Sequence, residues 1–331
     1  MTAIRTSFSL NKLKSFVKDD LTLMDEVINT RITGKEQLIF SLSNHLIASG
    51  GKRLRPILTI LCAKLFDYQG TRHINLAAAI EFIHTATLLH DDVVDESELR
   101  RGTATANSKW GNKASILVGD FLLSQAFKIM AHDGSIEALE ILSSASAIIS
   151  EGEVMQLEAT SNISINQQQY LDIIKAKTAE LFAASCEISA VITNRPTKEQ
   201  EALRSFGMYL GIAFQIIDDA LDYSSNQTEL GKEIGNDFKE GKITLPVLIA
   251  FKHANEEERV FWLRTMHRLD QQHDDLAKAI KLINQHDAFS YCLTEAKIYI
   301  AKAKTQLEMF ETSEAKELLL DILDFAIERS Y

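Results

Sequence analysis

The chain is predicted to fold as an all-α bundle of long helices, on two observations. Punctuation is scarce: only three prolines (Pro56, Pro196, Pro246) and fourteen glycines occur among 331 residues, against average usage of about 5% and about 7%. Apolar residues recur at three- and four-residue spacing through Leu76–Leu89, Ile116–Met130, Tyr170–Val191 and Leu203–Leu221, whereas alternating β-branched runs bounded by turn dipeptides are hard to find. Leu10–Leu23 has the same spacing and reads as an opening helix. Arg5, Lys12, Lys14 and Lys18, set among serines with no acid, give that end only a superficial likeness to a transit peptide. No linker, low-complexity tract or short repeat divides the chain, so residues 1–331 read as one domain.

Composition narrows the function classes. A content of 46% hydrophobic and 24% charged residues is that of an ordinary globular protein. The formal charge of −11 argues against nucleic acid as the main partner, because backbone phosphates need a broad basic surface. Cys62, Cys186 and Cys292 are odd in number and widely spaced, which indicates neither a disulfide framework nor a zinc site and fits a reducing cytoplasm. No window of eighteen uncharged apolar residues occurs; even Leu76–Leu89 contains Glu81 and His84, so a membrane span is not expected, though peripheral contact with a membrane stays open.

The strongest chemical feature is Asp-Asp-x-x-Asp, present as Asp91, Asp92 and Asp95 and again, 127 residues on, as Asp218, Asp219 and Asp222. Each closes an apolar helical run. Residues i and i+4 share a helix face, so each cluster directs several carboxylates one way. One such cluster is most simply a solvated helix end; two copies with identical spacing favour a cation site. Oxygen-only ligands select hard cations, and Mg2+ takes one or two carboxylates together with waters and substrate phosphate oxygens. Glu81-x-x-His84 also matches half of a di-iron carboxylate signature, but none of the other eight histidines has a glutamate three residues before it. His84 lies two turns before Asp91, either as a core histidine or as a donor to substrate.

Basic groups stand near the acids. Gly50-Gly51-Lys52-Arg53-Leu54-Arg55-Pro56 places three cations beside a diglycine, with a proline suited to the first turn of a helix, where amides and guanidinium forks converge on an anion. Arg100-Arg101-Gly102 follows the first acidic cluster, Lys177-Thr178 lies within a helical run, and Gly231-Lys232 and Gly241-Lys242 follow the second cluster.

With these pieces in order, the sequence resembles the trans-isoprenyl diphosphate synthases, or polyprenyl synthetases, with the matching motifs running from Gly50 to about Phe251. Besides the two aspartate-rich motifs, the match includes Leu88-Leu89-His90-Asp91-Asp92-Val93-Val94-Asp95, Gly119-Asp120, Gly152-Glu153-x-x-Gln156, Lys177-Thr178, Gln215-x-x-Asp218-Asp219 and Gly231-Lys232. The resemblance implies the isoprenoid synthase fold, helices around a central substrate cavity, and a reaction that extends an allylic diphosphate, farnesyl diphosphate for preference, with isopentenyl diphosphate. It implies that Asp91, Asp92, Asp95, Asp218, Asp219 and Asp222 hold about three Mg2+ ions. Arg100, Lys177, Thr178, Gln215, Lys232 and Lys242 would then contact the allylic diphosphate, and Lys52, Arg55, His84 and Arg101 the diphosphate of isopentenyl diphosphate. Gly119–Phe127, Gly152–Gln156 and Lys177–Ala184 look most like bacterial long-chain members that make ubiquinone side chains, decaprenyl in the first place and octaprenyl in the second. Two departures stand out: Ala104 replaces a common proline, and Asn236 replaces the first of two aspartates before Lys239.

No Ser-His-Asp or Cys-His arrangement is evident, in keeping with chemistry that needs no protein nucleophile. A non-catalytic regulatory subunit would be expected to lack one aspartate cluster, and a terpene cyclase has no need of the Lys52, Arg55 and Arg101 grip. Product length would be read by Ala86 and Thr87, about one turn before Asp91, and by Phe127 and Met130 on the following helix, which read equally as core packing. Apolar helical faces beyond the needs of one core suggest a homodimer.

Overall fold

The computed structural model describes residues 10–48, 52–100, 102–224 and 234–328. Its helices in chain order are α1 (Leu10–Phe16), α2 (Lys18–Ile32), α3 (Gln37–Ala48), α4 (Leu54–Lys64), α5 (Arg72–Val94), α6 (Ala106–Trp110), α7 (Asn112–Asp133), α8 (Ile136–Ala159), α9 (Gln167–Ile174), α10 (Glu180–Ile192) and α11 (Thr197–Leu221). They continue with α12 (Asn236–Lys239), α13 (Leu245–His253), α14 (Glu256–Trp262), α15 (Asp275–Gln285), α16 (Ala288–Leu307) and α17 (Glu314–Glu328). The all-α expectation holds, with one addition: Leu99–Arg100 (β1) and Thr103–Ala104 (β2) pair as a minimal antiparallel hairpin.

The opening run breaks between α1 and α2. Amide bonds from Val17 to the Leu13 carbonyl and from Leu21 to the Val17 carbonyl bridge the break, so it is a bend within one helical path. Pro56 falls in the first turn of α4 and Pro246 in that of α13, where a missing N–H leaves no intrahelical bond unmade.

The core is a continuous apolar cluster that reaches from Leu13 to Ala326. Its centre is α10, buried along nearly its whole length, as expected for a helix apolar all round. It packs against α4, α8 and α11, while α5 packs along α7 and α11 along α16. Two buried bonds tie α4 to α10: Thr59 Oγ1 donates to the Ser185 carbonyl at 2.9 Å, and Ser189 Oγ to the Thr59 carbonyl at 2.7 Å. They satisfy hydroxyls that would be costly to bury unpaired and fix α4 against the helix that follows Lys177-Thr178.

Lys177-Thr178 lies on a π-helical turn, Lys175–Ala179, between α9 and α10. Glycines permit its close approach to neighbours on both sides. A Cβ on Gly152 of α8 would meet the Lys177 amide nitrogen at 2.6 Å, and one on Gly211 of α11 would meet Ala179 Cα at the same distance. Gly207 is tighter still, since a Cβ there would lie 2.3 Å from the Phe182 carbonyl oxygen. Alanine at a helix interior gains about 1 kcal/mol over glycine in propensity, but overpacking against an unyielding backbone costs about 1–3 kcal/mol. Gly207→Ala is therefore expected to lower the thermal midpoint, read by circular dichroism. An unchanged or raised midpoint would show that α10 and α11 do not need this contact.

Among the described residues, α7 alone is long and apolar enough to cross a membrane by length and composition, and half of its apolar window is buried inside the fold. The helix carries Lys113, Asp120 and Lys128, so the expectation of no eighteen-residue window free of charge holds here, and it serves as a core wall against α5.

Candidate active site

The two aspartate clusters stand at the C-terminal ends of α5 and α11. In the first, Asp95 closes α5, its amide bonded to the Asp91 carbonyl at 2.8 Å. Asp92 is wholly buried, and its Oδ1 accepts from Arg100 Nε at 2.9 Å and from the terminal guanidinium nitrogen at 2.8 Å. The β1–β2 hairpin thus turns Arg100 back onto the cluster. Asn107 secures the junction by donating to the Asp92 and Ser97 carbonyls, both at 3.0 Å. Ala104, one of the departures, sits opposite Leu99, and its carbonyl accepts from His45 Nε2 at 2.9 Å.

In the second cluster, Asp219 is buried with both oxygens engaged: Tyr170 donates to Oδ2 and Gln215 Nε2 to Oδ1, each at 2.6 Å. Thr178 Oγ1 donates to Gln215 Oε1 at 2.9 Å. The carboxylate of Asp222 accepts from the amides of Asn236 and Asp237, at 3.3 and 3.0 Å. Asn236 contributes there through its backbone, which any residue provides.

Two lysines stand against the first cluster. Lys177 Nζ bonds Glu153 Oε2 at 2.7 Å and lies 3.9 Å from Asp91, while Lys242 Nζ bonds Asp95 Oδ2 at 2.9 Å and Glu240 at 2.5 Å. Both lysines line one cavity with Thr178, Gln215, Asp219 and Asp237, so cations held by the first cluster share a space with an aspartate of the second.

The electrostatics favour a cation there. Burial pushes the Asp91 carboxyl up to about 7, against the pull of Lys177 and with the push of Glu153 and Asp95. Asp219 is likewise pushed up to about 7 by burial, with Tyr170 and Gln215 opposing, and burial raises Asp222 and, further, Asp237. Carboxylates that resist ionisation by themselves are stabilised as anions by a divalent ion. Asp92 Oδ2 and Glu153 Oε1 are buried without a hydrogen-bond partner. An all-oxygen donor set of this kind fits a hard cation.

A second basic grip is built around Arg55 at the start of α4. Arg55 stacks on the Phe182 ring at 4.4 Å, one turn beyond Thr178 on the adjoining helix, and its Nη1 lies 3.2 Å from His84 Nε2. A guanidinium only donates, so this ring nitrogen accepts and the His84 proton sits on Nδ1. Burial draws Arg55 down to about 10, with Glu81 opposing, which leaves it charged at neutral pH. Lys52 lies over the Phe325 ring at 4.9 Å. Arg101 and Lys232, with Gly50, Gly51 and Gly231, lie outside the described residues.

Of the length-reading candidates, Ala86 is buried and Thr87 is half-buried, its hydroxyl donating to the His84 carbonyl at 2.8 Å. Met130 is fully buried, but Phe127 is 41% exposed and shares an outer face of α7 with Ile116 and Leu117. Sequence reading assigned no role to Tyr170, Asp237 or Glu240. Glu153 was visible only as part of Gly152-Glu153-x-x-Gln156, and Asp237 only as the neighbour of the Asn236 departure.

An all-helical bundle with paired aspartate clusters and flanking cations facing one cavity defines a metal-assisted diphosphate enzyme. A profile of the polyprenyl synthetase family matches residues 36–283, and the chain belongs to that family and is a prenyltransferase. It is 38% identical to the octaprenyl diphosphate synthase of Escherichia coli (strain K12) over 97% of this chain and 99% of that one. It is 39% identical to the all-trans-nonaprenyl-diphosphate synthase (geranyl-diphosphate specific) of Rhodobacter capsulatus, over 95% of this chain and 96% of that one. Among solved structures, a decaprenyl diphosphate synthase from Rhodobacter capsulatus superposes with a TM-score of 0.93 at 42% identity, covering 98% of this chain and all of the other (100%). A polyprenyl synthase from Caulobacter crescentus CB15, complexed with calcium and isoprenyl diphosphate, gives a TM-score of 0.94 at 45% identity, covering 99% and 100%.

Proposed function

We propose that this chain is a long-chain all-trans polyprenyl diphosphate synthase that uses Mg2+, primes on an allylic diphosphate and adds isopentenyl diphosphate repeatedly. The observation that carries it is the cavity lined by Lys177 and Lys242, which pair with the first aspartate cluster, and by Asp219 of the second. Decaprenyl diphosphate, for a ubiquinone side chain, is the favoured product, and octaprenyl the second; the relatives that bear such names match over nearly their whole length. A cytoplasmic, single-domain homodimer, in contact with membrane only peripherally if at all, completes the reading. The exposed face of α7 bearing Ile116, Leu117 and Phe127 supports the pairing.

Asp91, Asp95, Asp218 and Asp222 would hold the metal ions with Asp92 and Asp219 behind them, about three ions in all. Bound there, the ions supply charge stabilisation to the departing diphosphate. Lys177 and Lys242 neutralise the same leaving group, and such preorganised charge is the main source of rate in a site of this kind. Thr178 and Gln215 turn oxygens toward the allylic carbon as it becomes cationic, while apolar walls exclude water. Arg55, His84, Lys52 and Arg101 orient isopentenyl diphosphate so that its double bond attacks that carbon; the proton then lost goes to the released pyrophosphate.

The Arg55 grip gives a direct check. A lysine at this position keeps the charge but loses the fork and the plane stacked on Phe182. Loss of a charge-assisted bond costs about 1.5–3 kcal/mol, so Arg55→Lys is expected to raise KM for isopentenyl diphosphate about tenfold or more and leave that for the primer unchanged. A change confined to the primer constant would reverse the assignment of the two sites. Chain length is tested by supplying farnesyl or geranyl diphosphate with isopentenyl diphosphate and Mg2+ and sizing the dephosphorylated products. A product that stops at the geranylgeranyl stage would contradict the long-chain reading.

A further inference from the structure

We propose that Tyr170 is a positioning residue for the prenyl transfer, acting through Asp219 to fix which end of the Gln215 amide faces the reacting carbon. The proposal rests on the placement of Thr178 and Gln215 beside that carbon. Tyr170 stands on α9, Asp219 and Gln215 on α11, and Thr178 on the π turn, so the chain of bonds joins three elements.

The polarity of the chain is determined by its ends. Ionised, as it is beside a bound divalent cation, Asp219 accepts and cannot donate, so the group Gln215 presents to its Oδ1 is the NH2, and the Gln215 carbonyl points the other way. That carbonyl meets the Thr178 hydroxyl at 2.9 Å in the cavity that Lys177 and Lys242 also line. A carbonyl oxygen has two lone pairs, so one remains to face developing positive charge. Asp219 maintains this polarity only while its own orientation is fixed, and Tyr170 does that by donating to Oδ2 at 2.6 Å. Tyr170 is 2% exposed and Asp219 6% exposed, so water does not readily replace the phenol. Without it the carboxylate can rotate away from Gln215, and the amide is free to turn its NH2 toward the carbon, where a donor opposes a cation.

The test is a double-mutant cycle in the complete enzyme with Mg2+, an allylic primer and isopentenyl diphosphate. Tyr170→Phe is expected to lower kcat about tenfold, the scale of one hydrogen bond to a charged group, with both KM values and the Mg2+ concentration for half-activation unchanged. In a Gln215→Ala background the same change should lower kcat less than about twofold, because residues acting as a unit are non-additive. A second tenfold loss in that background, an unchanged kcat in Tyr170→Phe alone, or a shifted Mg2+ midpoint would each overturn the proposal. If Tyr170→Phe melts below the assay temperature, all four enzymes of the cycle are assayed at one temperature below its midpoint, with the same non-additivity expected and additivity contradicting it. Absence of elongation by the unmodified enzyme would sink the functional reading itself, a result separate from any of these.

Discussion

Replacing Asp91 or Asp218 with alanine is expected to reduce turnover at least a hundredfold while the helical fold persists. Each stands near the end of its helix, half-buried, and each is the first aspartate of its cluster. Neither cluster can stabilise the leaving diphosphate without its metal, and removing one preorganised charge-stabilising group costs about 2.7–4 kcal/mol in comparable sites. The effect on stability should be slight or even favourable, because burial among like charges already disfavours the ionised Asp91. Steady-state rates with saturating substrates, paired with far-ultraviolet circular dichroism, check both parts. Near-normal turnover in either variant would remove the metal-cluster account.

Ala86→Tyr is expected to convert the enzyme to a short-chain producer that stops near the farnesyl or geranylgeranyl stage. Ala86 is buried on α5 about one turn before Asp91, where a growing tail anchored at the metals must pass. A tyrosine there would obstruct the path of such a tail and changes no candidate metal ligand, so ionisation should continue. Met130, fully buried on α7, is the candidate for a deeper floor; Phe127 lies too far out on the exposed face to close the groove of a single chain. Chromatographic sizing of the products decides the matter. Full-length product at a comparable rate would show that the tail does not run past this turn.

Much of this was legible in the sequence because the chemistry is carried by short local motifs. Asp-Asp-x-x-Asp states its own helix face, and the periodicity of Leu203–Leu221 locates the helix that carries the second copy. What periodicity does not encode is contact. Tyr170–Val191 reads as one helix, yet it is interrupted by the π turn at Lys175–Ala179, accommodated by glycines on two other helices that no local pattern connects to it. The bond from Lys242 to Asp95 spans 147 residues. Arg100 was legible as a cation near Asp91, but its pairing with Asp92 depends on the hairpin that turns it back. Tyr170 looked like one more apolar position at helical spacing, and only its hydroxyl's partner distinguishes it.

The most direct test of the central claim is incorporation of radiolabelled isopentenyl diphosphate into butanol-extractable product by the purified chain, with the primer and Mg2+ each supplied or withheld. The account predicts incorporation only when both are present, abolished by a chelator and restored by added Mg2+. Incorporation that persists in the chelator, or none with both present, would contradict it.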